Sequence, residues 1–150
     1  MREIKFKAFC KSENKIYNVQ SIEFVDLIEG RTGINVYVGK NVYEACKWLD
    51  EGEYVLMQFT GLKDKTGKEI YDGYIVICHN LDGQIKGVVS YEDQAGCYWI
   101  KWTTKTMQRT VNRYRDLSHG GQEGSKNGIL LTSVEVIGNI YTNPELLNDK

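Results

Sequence analysis

The sequence predicts a mainly-β protein, with a β-rich N-terminal section at residues 1–52 and a small barrel or roll over residues 53–150. Three observations lead there. Apolar and polar residues alternate from the start of the chain, short apolar runs recur between glycine-rich turns, and Tyr occurs 10 times. Tyr and β-branched residues suit a pleated, half-buried surface. Several short strands joined by such turns are the pattern of a small barrel or roll. With 150 residues, the chain is long enough to bury a core without disulfides or a structural metal.

At the N-terminus Ile4, Phe6 and Ala8 alternate with Lys5 and Lys7, the period of two of a half-buried strand. The polar run 11–15 predicts a turn, and strand-like patterning resumes at residues 16–19 and 21–28. Gly30 and Gly33 mark the next turn, ahead of a strand at 34–38. A short helix is expected after it. Asn41 suits the N-cap, with Glu44 three residues later, and Val42, Ala45, Cys46 and Leu49 fall at i, i+3, i+4 and i+7 before Gly52.

The strand signal returns at 54–59. Residues 60–73 carry Gly61, Gly67 and Gly73 and predict a tight, ordered loop leading into the barrel, with glycines where the backbone needs positive φ or close approach. Strands are expected at 74–78, 85–91 and 97–103, with turns at 80–83 and 92–96. Residues 116–128 hold four glycines and few apolar side chains, which predicts a mobile loop or a partly disordered insertion. A last strand region at 129–140 precedes Asn143 and Pro144, an N-cap followed by proline at the first helical position.

Charge and cysteine content narrow the function classes. The formal net charge is −1, with 8 Lys+Arg against 9 Asp+Glu in residues 1–60 and 11 against 11 in residues 61–150. No global basic field is available to drive nucleic-acid binding, so any such site must be local. The first residues lack the apolar run of a signal peptide, and no stretch approaches the roughly 18 apolar residues of a membrane span. The cytoplasm is the expectation. Cys10, Cys46, Cys78 and Cys97 are widely spaced and read as free thiols in or near the core. A zinc site of Cys78, His79, Cys97 and His119 would lack short ligand spacing.

No catalytic or cofactor motif is present: there is no Walker A loop, dinucleotide fingerprint or nucleophile elbow. Cys78 and His79 are neighbours on a strand, where successive side chains point to opposite faces. His119 lies in the glycine-rich segment. In the loop, Asp64, Glu69 and Asp72 form the one close group of carboxylates, flanked by Lys63 and Lys68. Such carboxylates in a turn more often cap turns or pair with lysines than perform acid–base work. The segment 98–115 is the second candidate surface. It carries Lys101, Lys105, Arg109, Arg113 and Arg115 among Tyr98, Trp99, Trp102 and Tyr114, without an acidic residue. Cations and aromatic faces together suit single-stranded nucleic acid. Met107, Val111, Tyr114 and Leu117 also fit a helical stripe, with Lys105, Arg109 and Arg113 on another face. The plain alternative makes the tryptophans core and the cations a solvated face.

Three segments resemble the YopX family. Residues 2–9 (REIKFKAF) are similar to its opening strand, residues 57–76 (MQFTGLKDKTGKEIYDGYIV) to its most specific stretch, and residues 136–146 (VIGNIYTNPEL) to its closing signature. The resemblance implies an SH3-like β-roll in the C-terminal two-thirds, preceded by a β-rich N-terminal section, and a phage or prophage origin; the residues themselves add one or two short helices. It carries over no catalytic residue. Tyr74 stands where the family usually has an aspartate, Phe9 and Cys10 stand where it favours a tryptophan and an acidic residue, and residues 116–128 diverge. These departures bear on a shared surface, not on the fold. The functional expectation is a non-catalytic phage accessory protein without a cofactor, binding a host or phage protein. Self-association through an exposed edge or tyrosine patch is compatible with it. The alternative is a nucleic-acid-binding module using residues 98–115.

Overall fold

The computed structural model describes residues 3–26, 31–38, 46–80, 83–94, 96–103, 115–116 and 134–148. Among them the strands are β1 (Phe6–Cys10), β2 (Lys15–Asp26), β3 (Arg31–Tyr37), β4 (Cys46–Leu49), β5 (Tyr54–Lys63), β6 (Glu69–Tyr71), β7 (Tyr74–Asn80), β8 (Gly83–Glu92), β9 (Cys97–Thr103), β10 (Arg115–Asp116) and β11 (Val134–Asn139). A single 3-10 turn at Pro144–Leu147 is the one helical element among the described residues. The chain is mainly β. Its strands form two antiparallel sheets, β4-β3-β2-β1-β5-β6 and β10-β9-β8-β7-β11. Among the described residues neither order closes into a barrel. No helix among them is long and apolar enough to cross a membrane.

The chain divides into two compact units, Glu3–Gln58 and Phe59–Lys150, and β5 runs through the division. In the first unit β1 and β2 form a hairpin around the polar turn, with Ala8 opposite Tyr17 and Cys10 opposite Lys15. The buried set is Ala8, Cys10, Tyr17, Ile34, Val36 and Leu49, against which Val19, Ile22, Tyr54 and Leu56 pack. The core face of β1 therefore starts at Ala8, whereas Ile4, expected on that face, precedes the strand and is exposed.

Cys46–Leu49 corrects the helix expected over residues 41–52. It is a strand paired with β3, with Ile34 opposite Leu49 and Tyr37 opposite Cys46; residues 41–45 lie outside the described residues. In a strand, positions 46 and 49 point to opposite faces. Accordingly Leu49 is buried and Cys46 is exposed, with its thiol donating to the Gln20 side chain. Trp48 explains what holds this strand. Its ring lies so close over Gly33 that a Cβ there would sit 1.8 Å from Trp48 Cζ2, an aromatic filling the space a neighbouring glycine leaves.

In the second unit β7 is buried along both faces, with Ile75, Val76, Ile77 and Cys78 all covered. It lies between β8 and β11, with Val76 opposite Gly87 on one side and opposite Val136 on the other. Such central strands read as unbroken apolar runs, as residues 74–78 do. Val89 and Ile100, a cross-strand pair of β8 and β9, extend the buried layer. The helical stripe, the basic helix face at residues 105–113 and the glycine-rich segment 116–128 fall outside the described residues, apart from Asp116 in β10.

Candidate functional site

The segment expected as a loop leading into the barrel is a hairpin. β5 continues to Lys63, the chain turns at residues 64–67, and β6 begins at Glu69. The pairing slips between Phe59 and Lys63, and buried Thr60 fills the irregularity, donating its hydroxyl to the Ile70 carbonyl and accepting from the Leu62 amide. Gly61, Gly67 and Gly73 have φ of 89°, 85° and 75°, the positive values expected from the sequence.

Asp64 organises the turn. Its Oδ1 accepts from the Thr66 amide at 2.8 Å, the Thr66 hydroxyl at 2.7 Å and the Lys68 amide at 2.9 Å. The Gly67 amide donates back to the Asp64 carbonyl, which closes a β-turn with Asp first and Gly fourth, their preferred places. The second carboxylate oxygen, Oδ2, accepts from the Val136 amide of β11 at 2.9 Å. Beside it the Lys65 amide donates to the Val134 carbonyl at 3.0 Å, and Lys65 Nζ lies 2.7 Å from Glu135 Oε2. Asp64 is buried, yet its carboxylate takes four hydrogen bonds. Burial alone would raise its pKa. The donors from Val136, Thr66 and Lys68 outweigh that and hold it below the usual carboxylate value.

The far end of the hairpin meets the same C-terminal segment. The Gly73 amide donates to the Val89 carbonyl, and the Ile140 amide donates to the Gly73 carbonyl. The Tyr141 ring lies against Gly73, where a Cβ would come within 2.8 Å of Cε2. Buried Asn139 shapes this corner: its Oδ1 accepts from the Tyr141 and Thr142 amides, and its Nδ2 donates to Thr142 Oγ1. Asn143, expected as a side-chain cap for the last helix, does not cap it. Its Oδ1 instead accepts from Thr142 Oγ1 at 2.9 Å.

The loop residues expected to act together therefore have separate situations. Asp64 is a clamp. Glu69 accepts from the Tyr71 hydroxyl at 2.7 Å, and the Tyr71 ring packs 5.4 Å from both Phe59 and Tyr74. Lys63 and Lys68 are exposed. Asp72 is half-buried; burial raises its pKa, and amide hydrogen bonds from Gly73 and Tyr91 only partly offset this. Tyr141 is pushed up in turn, by burial and by the charge of Asp72. Sequence reasoning missed Asn139, Thr60 and Tyr141. Their signal was weak: Thr60 and Asn139 are small polar residues beside Gly61 and Gly138, and Tyr141 is one more aromatic in the closing signature.

The basic and aromatic segment is only partly within the described residues. Lys101 is exposed in β9, and Trp102 lies on the opposite face, against Gly87. The backbone of Arg115 pairs with Ile100, while Lys105, Arg109 and Arg113 lie outside the described residues. Of the cysteines, Cys10 and Cys78 are buried, Cys97 is half-buried and accepts from Trp99 Nε1, and Cys46 is exposed. Among the described residues no cluster of three or more His, Cys, Asp or Glu could hold a metal ion; His119 and the His79 side chain lie outside them.

The clamp joins two of the three segments that carry the resemblance. The family model described as YopX protein matches residues 5–148. The chain belongs to the YopX family. Two solved structures share the fold. Protein EF1440 from Enterococcus faecalis is 22% identical, with a TM-score of 0.57, over 99% of this chain and 100% of that one. Protein yopX from Bacillus subtilis is 17% identical, with a TM-score of 0.53, over the same shares of the two chains. No curated protein matches the sequence. In YopX-family terms, the middle stretch and the closing signature are two halves of one structural joint.

Proposed function

We propose that this YopX-family chain is a phage or prophage accessory protein that works in the bacterial cytoplasm by binding a host or phage protein, without catalysis. In this reading residues 53–150 form an SH3-like roll that presents the binding surface. The observation that supports it is the employment of Asp64. The most specific motif of the chain spends its buried carboxylate on four internal hydrogen bonds, three on Oδ1 and one on Oδ2, which commits that group to its own turn and to β11. The surface most suited to a partner is the β8–β9 face that carries half-buried Trp99 and exposed Lys101. Aromatic residues such as Trp99 are enriched in protein-binding surfaces, and Lys101 beside it adds a charge that a partner can read.

The test is recovery of partners from infected or lysogenic cells with the tagged chain, compared with a Lys101→Glu variant. A specific protein retained by the wild type and lost by the variant supports the proposal. Recovery of nucleic acid alone, released by salt, would replace it with the nucleic-acid reading of residues 98–115.

A further inference from the structure

Among the described residues β11 is an end strand of its sheet, bonded to β7 on one side. The backbone groups on its other side are the kind that recruit a further strand. Here two of them are taken. The Val134 carbonyl accepts from the Lys65 amide, and the Val136 amide donates to Asp64 Oδ2. A strand residue pairing in parallel with Glu135 would donate to the carbonyl before it and accept from the amide after it. The Asp64–Lys65 turn makes both bonds, with a side-chain carboxylate standing in for the second backbone carbonyl. Lys65 even sits where a cross-strand partner of Glu135 would, with their side chains ion-paired at 2.7 Å.

We propose that this turn is an edge guard: it occupies the outer edge of β11 as a one-residue mimic of a strand, and its release opens that edge to β11 of a second copy of the chain. An isologous pair suits the sequence of β11. A two-fold axis through Val136 sets Glu135 opposite Ile137, in the irregularity that follows Val136, so that the two Glu135 carboxylates do not face each other. The inference stands apart from the proposed partner binding, which uses β8 and β9.

Two substitutions release the guard without removing the turn. Asp64→Asn keeps an oxygen for the Thr66 and Lys68 donors but sets an NH2 group against the Val136 amide. Lys65→Pro removes the donor to Val134 and the ion pair, while proline suits the second position of this β-turn. Full-length variants are measured by light scattering over a concentration series, with amide exchange of Val136 and circular dichroism on the same samples. The expected result is a folded protein in which Val136 exchanges at least about tenfold faster when dilute, as loss of a single hydrogen bond of about 1.4 kcal/mol would give. Its mass then rises with concentration to twice that of the unaltered chain, and Val136 becomes protected again. A folded variant with fast Val136 exchange and an unchanged mass overturns the proposal. So does a Val136 amide that stays protected in both variants at low concentration.

Discussion

The Asp64 carboxylate accepts a hydrogen bond from the backbone amide of Val136 at 2.9 Å, across 72 positions of sequence. One side chain thus closes its own turn with one oxygen and fastens that turn to the last strand with the other. At the far end of the hairpin, Gly73 and Tyr141 make the second fastening. The most recognisable residues of the chain are, on this account, the parts that hold the C-terminal unit in register.

Asp64 makes stability depend on acid. Its folded pKa lies below the ordinary aspartate value, so the charged form contributes stability that is present above that value. The contribution is lost as pH falls through the folded pKa. Urea unfolding at stepped pH should show an acid loss in the wild type that is smaller in Asp64→Asn. Equal acid limbs in both proteins would show that other carboxylates carry the effect.

Asp72 should behave in the opposite sense. Burial raises its folded pKa above 3.8, so the fold favours the protonated form, and the contribution is lost as pH rises through the folded value. The stability of Asp72→Asn relative to wild type should therefore increase from about pH 4 to pH 7. A constant difference across that range would contradict the burial of this carboxyl.

Two glycines of the hairpin should differ in what a methyl group costs. Gly67 and Gly73 both hold positive φ, but nothing lies within 4 Å of a Cβ at Gly67, whereas one at Gly73 would meet Tyr141 at 2.8 Å. Gly67→Ala should cost about 1 kcal/mol, the backbone penalty alone. Gly73→Ala should cost about 1–3 kcal/mol more, as overpacking does. Denaturation midpoints of the two variants decide the order.

Thiol labelling reads the corrected strand β4. In the native protein Cys46 should react first and Cys97 more slowly, with Cys10 and Cys78 reacting only on unfolding. Mass mapping of the labelled peptides gives the order. A protected Cys46 would restore the helical packing that the sequence suggested for it.

Much of the fold is legible in the sequence because the signals are local. The alternation in β1, the unbroken apolar run of β7 and the glycines at positive φ each report a nearby constraint. The turn-capping reading of Asp64 was available too, since Thr66 and Lys68 follow within four residues. β4 was misread because Cys46 and Leu49 satisfy a helical spacing, while what settles their conformation is pairing with Tyr37 and Ile34 and the Trp48 ring over Gly33. The bond from Asp64 to Val136 was beyond reach for a similar reason. Spacing along the chain carries no trace of which amide a carboxylate will meet 72 residues later. Lys101 and Trp102 likewise read as one surface until strand β9 puts them on opposite faces.

The measurement that bears most directly on the clamp is equilibrium urea unfolding of Asp64→Asn against wild type at pH 7. In dilute protein, where the variant is a monomer, loss of the buried bond to Val136, with a donor set against a donor, should lower stability by about 1–3 kcal/mol, with an unchanged dependence on urea. A midpoint equal to that of the wild type would mean that the carboxylate is dispensable to the fold, and the motif would then need a ligand to explain it.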